Sequence, residues 1–400
     1  MDILIVGGTG VISFAVVNEA LKRGHHVTCI NRGKSKNQVL PEEVEIVTAD
    51  YRNKNQMKEI LQQRFFDVVV DVLCYTENDI EYSVSLFKNI CRQYIFFSSC
   101  AVYNKGKGNY ECIEDSPLIN PVWQYSIDKV ACEKKLIELA KLNHFYYTIV
   151  RPAVTYGNTR IPYGITPLYG YHGTLIQRIL HHKPIVLWDN GEAYSTITRV
   201  EDFAIGLVGL FGNEKAINQA FHIVGDERYK WKEVIEILGD ILHESPIYFN
   251  LDKETLAKEM PHRKGEILGG RGISQLLNND KIKDAVPYFK TNISLRQGLE
   301  MTVNYYKENN WLSGIDYAFD GDWDRIISKY DNLYKPIFID YLEERKEINR
   351  QKYNASLQKN IKLSYYKEKT ISFLRKISNY SAPYRSNYSA PYRKLLVNKA

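Results

Sequence analysis

Along residues 1–155, short apolar runs alternate with stretches of helical spacing. The runs at 2–6, 26–30, 44–47, 67–72, 93–97 and 146–150 are rich in Ile and Val and mostly lack in/out alternation. That pattern predicts parallel strands covered on both faces. Helical spacing falls between them at 11–23, 55–63, 79–91 and 123–142, and Gly24 suits the C-terminus of the first helix. Strand, helix, strand with short connections implies right-handed crossovers. The expected fold class is therefore α/β, a doubly wound parallel sheet of Rossmann type over 1–155.

From 156 to 311 the pattern loosens, and Pro and Gly cluster at 161–173. This predicts a smaller mixed substrate-facing region with some segments returning to the main sheet. Residues 312–377 read as a helical extension, in which Tyr317, Phe319, Trp323, Ile326 and Ile327 are suited to dock on the body. The chain closes with a near-perfect tandem octapeptide, Ser378 to Arg385 and then Ser386 to Arg393. Two copies are too few for a solenoid, so 378–400 is expected to be a disordered tail.

The 44% hydrophobic and 25% charged fractions are ordinary for a globular chain. No apolar run approaches the ~20 residues of a spanning helix. Met1-Asp2 leads straight into the first strand without a basic region or cleavage site, so a cytoplasmic location is expected. All six cysteines fall between Cys29 and Cys132 without zinc-site spacing, which predicts reduced structural thiols and no metal. His181-His182 is no metal pair either, because adjacent side chains do not converge.

The net charge of +6 is uneven: residues 341–400 hold 14 Lys/Arg and 4 Asp/Glu, hence +10, leaving −4 for the rest. A mildly acidic body is a poor DNA binder. In the basic tail, Leu357, Ile361, Tyr365, Phe373, Leu374 and Ile377 form a broken apolar stripe. Packing on the body or on a second copy of the chain ranks ahead of membrane-surface contact.

Gly7-Gly8-Thr9-Gly10-Val11-Ile12-Ser13 follows the first strand and opens the first helix. Such glycines make a tight turn and let backbone N–H groups approach a pyrophosphate at the positive helix end. Ser13 stands where the third glycine normally serves close packing. The second strand ends in Asn31-Arg32-Gly33-Lys34 rather than in an acidic residue, which tilts the cofactor from NAD towards NADP. Asp50, after the third strand, is placed to accept from an adenine amine; a turn-forming Asp is the rival reading. Ser98-Ser99-Cys100-Ala101-Val102-Tyr103 ends the fifth strand, and Tyr125 and Lys129 share one helical face. A phenol ionising near pH ~10 needs roughly 3 units of help to act as a base near neutrality.

With Arg151-Pro152…Tyr156-Gly157 and the later Asp189-Asn-Gly…Thr198-Arg199-Val200-Glu201-Asp202, these motifs resemble the extended short-chain dehydrogenase/reductases. Within them the chain is similar to the NAD-dependent epimerase/dehydratase group that includes UDP-galactose 4-epimerase. The resemblance runs from Met1 to about Trp311. It implies that Ser99, Tyr125 and Lys129 form the catalytic set, with Lys129 also binding the nicotinamide ribose and lowering the Tyr125 pKa. It implies cofactor contacts from Gly7, Gly8, Thr9, Gly10, Val11, Ile12, Asn31, Arg32 and Asp50. The family's 4,6-dehydratases carry acidic residues where this chain has Cys100-Ala101, so dehydration is disfavoured. The family's diphosphate-binding Arg is replaced by Ser195, leaving Arg199, Arg160 or Arg178 for that role, or a substrate of another kind. The loop 161–173 sits at the family's substrate loop, where Tyr163, Tyr169, Tyr171 and His172 either stack on the substrate or pack the loop.

The resemblance implies an NAD(P)-dependent epimerase or reductase of a nucleotide sugar. The alternative is a non-catalytic nucleotide- or RNA-binding protein on the same fold. Neither the sugar nor the oligomeric state is legible.

Overall fold

The computed structural model describes residues 1–33, 38–103, 111–168, 170–341, 343–367 and 369–370. Lys34, Tyr169, the tandem octapeptide and the tail 378–400 lie outside them.

The apolar runs form β1 (Asp2–Val6), β2 (His26–Asn31), β3 (Glu45–Thr48), β4 (Phe66–Asp71), β5 (Cys91–Phe97) and β6 (Tyr147–Val150). A strand at Gln219–Phe221 returns from the second half of the chain and pairs with β6. Together they make a seven-stranded parallel sheet in which β1 lies between β2 and β4. Ile3 is level with Val27 on one side and with Val68 on the other. Strand order reverses at β1, so a crevice opens there at the carboxyl ends of the strands.

Helices cover both faces. α1 (Val11–Lys22), α2 (Lys54–Leu61), α3 (Glu77–Phe87) and α4 (Gln124–Asn143) come from the first half, then α5 (Gly173–Leu180) and α6 (Val200–Gly209). α3 starts before the residue that the apolar spacing marks, because Thr76 and Asp79 cap it reciprocally: the Asp79 N–H donates to Thr76 Oγ1, and the Thr76 N–H to Asp79 Oδ2. On one face, Ile5, Val16 and Val70 pack with Phe203 and Leu207 of α6 and with Ile282 and Phe289. On the other, Leu4, Phe87, Tyr94 and Leu136 form a second core. Segments 200–223 and 282–289 thus pack on the main sheet.

A separate core forms around Trp188, Trp231, Leu238 and Leu299. The helix Tyr317–Tyr330 completes that core with Phe319, Trp323, Ile326 and Ile327. A following helix, Lys346–Leu357, packs against it so closely that a Cβ on Gly321 would meet the Tyr353 carbonyl at 2.5 Å. The extension is therefore built into the body at least as far as this helix. All six cysteines are buried and none is in a disulfide. Among the described residues, no helix is long and apolar enough to cross a membrane.

Trp323 is fully buried, and its indole N–H has no hydrogen-bond partner. It contributes through its ring, which packs in the core and lies 5.3 Å from the Arg178 guanidinium. Trp323→Ala should cost about 3–5 kcal/mol. The checking measurement is the denaturant midpoint of the full chain.

Candidate functional site

The turn after β1 fixes the first part of the site. Gly7 adopts φ +90°, which a side chain would strain, and its N–H donates to the Ile30 carbonyl at 3.0 Å. Ser13 belongs in the turn. Its hydroxyl donates to the Gly7 carbonyl at 2.6 Å and accepts the Gly10 N–H at 3.0 Å. The side chain that replaces the usual third glycine thus pins the loop. Gly8 is buried behind it, where a Cβ would sit 2.5 Å from Cys29 Sγ, so it serves strand–helix packing rather than a ligand.

A cavity of about 1280 Å³ opens at the strand-order reversal and runs along the ends of β1, β2, β4 and β5. Gly7, Thr9, Gly10, Val11 and Ile12 line its middle. Asn31, Arg32 and Asp50 line one end, and Asn31 Nδ2 is buried there without a partner. Ser99, Tyr125 and Lys129 line the same cavity further on. An uncapped helix start, a turn that would be filled by a side chain at Gly10 and an unpartnered amide together fit a dinucleotide.

Ser99 caps the short turn Cys100–Val102, with its Oγ accepting the Ala101 N–H at 3.2 Å. Its hydroxyl also hydrogen-bonds the Tyr125 phenol. Burial pushes that phenol up to about 12, against the lowering pull of Ser99 and of the Arg271 guanidinium. Lys129 is held by main-chain oxygens. Its ammonium donates to the carbonyls of Cys74 at 2.6 Å and Phe97 at 2.7 Å, and lies 5.9 Å from the centre of the Tyr125 ring. Burial holds the Lys129 pKa below its ordinary value. The lysine is thus anchored to the sheet, and in this geometry the phenol is not brought down towards neutrality.

The far end of the cavity carries Trp123, Arg160, Glu266, Arg271 and Gln275. Arg271 closes a single π-helical turn, Ile267–Arg271, a form often found at functional sites. The Arg271 carbonyl accepts both the Trp188 and the Trp231 indole N–H, at 2.9 and 2.8 Å. Gly269 and Gly270 let the turn press on Trp123, where a Cβ would stand 3.0 and 2.9 Å from its atoms. Burial would raise Glu266, yet Arg263, Arg271 and Arg160 hold it below its usual range. Cys100 is a neutral thiol, pushed up to about 12 by burial, with Sγ 3.4 Å from Gln275 Oε1.

Several expected substrate residues lie elsewhere. Tyr163 is a core residue: its ring packs on Trp188 and Trp231, and its hydroxyl donates to the Val186 carbonyl at 2.7 Å. His172 is buried with Nδ1 accepting the Ile161 N–H at 2.9 Å, and burial lowers it to about 3. Arg199 is buried, paired with Glu201 at 2.7 Å and bonded to Gly298 and Thr302. Arg178 is likewise held in a buried ion pair, with Asp324 at 3.0 Å. Tyr171 is exposed and does not line the cavity. Arg271, Glu266 and Gln275 were not singled out; the only signal for them was the Gly-Gly-Arg-Gly stretch at 269–272.

Residues 3–223 match the family model described as the NAD dependent epimerase/dehydratase family. Among curated relatives, the chloroplast stem-loop binding protein of 41 kDa b of Arabidopsis thaliana is 27% identical over 281 residues, 65% of this chain and 70% of that one. A UDP-N-acetyl-alpha-D-glucosaminuronate decarboxylase of Bacillus cytotoxicus is 25% identical over 331 residues, 76% of this chain and 97% of that one. Among solved structures, the UDP-glucuronic acid 4-epimerase of Bacillus cereus in complex with UDP-glucuronic acid and NAD shares the fold. Its TM-score is 0.62 at 21% identity, covering 77% of this chain and 100% of that one.

Because the folded Tyr125 pKa is raised, burying the neutral phenol favours folding fully below pH ~10, and this is lost as pH rises through about 12. Removing the phenol oxygen removes that dependence. Tyr125→Phe should therefore lose less stability than the wild type between pH 10 and 12. Denaturant melts of both cofactor-free proteins across that range check this; identical pH slopes would mean that the phenol is not desolvated.

Proposed function

The chain belongs to the NAD-dependent epimerase/dehydratase family, and on that premise we propose that it is an NAD(P)-dependent epimerase or reductase of a nucleotide sugar. The observation that carries the reading is the single cavity joining the glycine turn, the Ser99–Tyr125–Lys129 group and the Arg160–Arg271 end. A decarboxylase and an epimerase named for UDP-sugars among the similar proteins support the substrate class.

Gly7, Thr9, Gly10, Val11 and Ile12 would hold the pyrophosphate at the start of α1. Arg32, exposed just after β2, suits a 2′-phosphate and so favours NADP, while Asp50 would accept from the adenine amine. Lys129 has three N–H donors, two of which go to carbonyls. The third is left for the nicotinamide ribose. When bound, the oxidised nicotinamide supplies the hydride acceptor and a positive charge beside the phenol. Tyr125 then takes the proton of the reacting hydroxyl while Ser99 holds its oxygen. An epimerase would return the hydride to the opposite face, whereas a reductase would start from the ketone and the reduced nicotinamide, with Tyr125 giving its proton to the carbonyl oxygen. At the far end, Arg160 and Arg271 suit a substrate diphosphate, since Arg199 is paired with Glu201 and Arg178 with the buried Asp324. The neutral Cys100 beside Ala101 offers neither the acid nor the base for dehydration.

A second reading is RNA binding on the same fold. It is favoured by the name of the Arabidopsis relative and by the +10 charge of residues 341–400. Salt-dependent RNA binding that survives removal of 341–400 would support it.

Three variants test the first reading. Gly10→Val places a side chain against Ser13 and into the cavity, so titration with NAD and NADP should show at least a tenfold loss, on the order of 1.4 kcal/mol. In the same titration, Arg32→Asp should shift the preference towards NAD. Tyr125→Phe should retain cofactor binding and lose a factor on the order of 10² or more in turnover. Mass spectrometry of small molecules released from the purified protein identifies the cofactor. Unaltered dinucleotide affinity in Gly10→Val would sink the site assignment.

A further inference from the structure

The loop 161–173 is gripped from the outside by the C-terminal extension. Ile315 forms an antiparallel bridge with His172. Asp316 caps the helix Tyr317–Tyr330, with Oδ1 accepting the Phe319 N–H at 3.1 Å. Its other oxygen accepts the Leu168 N–H at 3.3 Å, and its own N–H donates to Thr174 Oγ1 at 2.8 Å. A Cβ on Gly314 would stand 2.6 Å from the Gly170 carbonyl, so extension and loop touch backbone to backbone.

The extension is itself locked down by buried charge. Arg178 and Lys183 from the substrate-facing region meet Asp320 and Asp324 of the helix Tyr317–Tyr330, and all four are buried. The Tyr334 hydroxyl donates to Asp324 Oδ1 at 2.7 Å, and the Tyr353 hydroxyl donates to Oδ2. Burial would raise Asp324, but Arg178 and Lys183 hold it below its ordinary value. Two cations and two anions leave no net charge, and breaking one pair would strand a buried ion.

On its inner side the loop leads to the cavity. The His172 ring holds the Ile161 N–H at 2.9 Å and also bonds the Pro167 backbone. Ile161 directly follows Arg160, which lines the far end of the cavity. We propose that residues 315–353 form a strap that holds the loop 161–173 through Asp316 and the Ile315–His172 bridge, and thereby positions Arg160 for the anionic part of the substrate. This rests on the diphosphate reading of that end of the cavity. His172 and Asp316 are positioning residues, acting through Arg160.

The test uses the full chain. Asp316→Asn keeps an oxygen for the helix cap and replaces the loop acceptor with a donor. Amide hydrogen exchange in 161–173 should rise about tenfold while β5 keeps its protection. NADH binding should be unchanged, and UDP, the probe for the far end, should bind about tenfold more weakly. Arg160→Ala should also weaken UDP, and Asp316→Asn should add little in that background, since both act on one contact. Asp324→Asn, which unbalances the charge cluster, should loosen the same loop; if it does not fold, Asp316→Asn alone decides. Unchanged loop exchange in the folded variants, or effects of Asp316 and Arg160 that simply add, would overturn the strap. If the wild type does not bind UDP, the diphosphate reading fails, and hydrogen exchange alone judges whether the strap holds the loop.

Discussion

The site depends on where the chain buries one ammonium. Among the described residues Lys129 forms no ion pair; it is held by the Phe97 carbonyl at the end of β5, by the Cys74 carbonyl in the loop after β4, and by the faces of Tyr75 and Phe96, 4.7 and 4.9 Å away. A cation in such a place is tolerated only while those groups stay put. It therefore ties α4, which carries Tyr125, to the two loops that border the crevice. The β4 end is stiffened in turn by Asp71. That carboxylate accepts from Tyr51, Ser83, Tyr94, Cys74 and the Leu73 N–H.

A related network lies behind Ser99. Glu133, one turn after Lys129 on α4, accepts from Ser98 Oγ and takes Arg151 at 2.9 and 2.7 Å. Buried charge is thus used twice along one helix, once through carbonyls and once through a bidentate ion pair. Both fix the separation of α4 from the sheet. The result is a site on rigid elements, which suits chemistry requiring a hydroxyl, a phenol and a ring to stay in register.

The sheet was legible because burial on both faces leaves unbroken Ile/Val runs, and Gly7 to Ser13 fell where a strand meets a helix. The start of α3 was misjudged because its cap is made by Thr76 and Asp79, polar residues outside the apolar stripe. The substrate end was poorly legible for another reason. Tyr163 and Arg199 have the residue types of a binding site, but whether they face a ligand or a core depends on Trp188, Trp231, Gly298 and Thr302, all distant in sequence. Arg271 is the reverse case, placed by two indoles that accept no pattern-based forecast. The docking of Phe319, Trp323, Ile326 and Ile327 was readable from their spacing; the four-charge cluster beside them was not, since surface-type residues gave no sign of burial.

The buried cysteines have a consequence for chemical labelling. Cys29, Cys91, Cys100 and Cys132 are each pushed up to about 12 by burial, and Cys74 is raised as well. Alkylating reagents attack the thiolate, whose population at neutral pH is then vanishingly small. These five buried thiols are accordingly poor targets for such reagents in the folded chain. They lie on or beside β2, β4, β5 and α4, so the speed of their modification becomes a clock for the opening of the N-terminal half. The C-terminal half contains no cysteine and is silent in the same measurement.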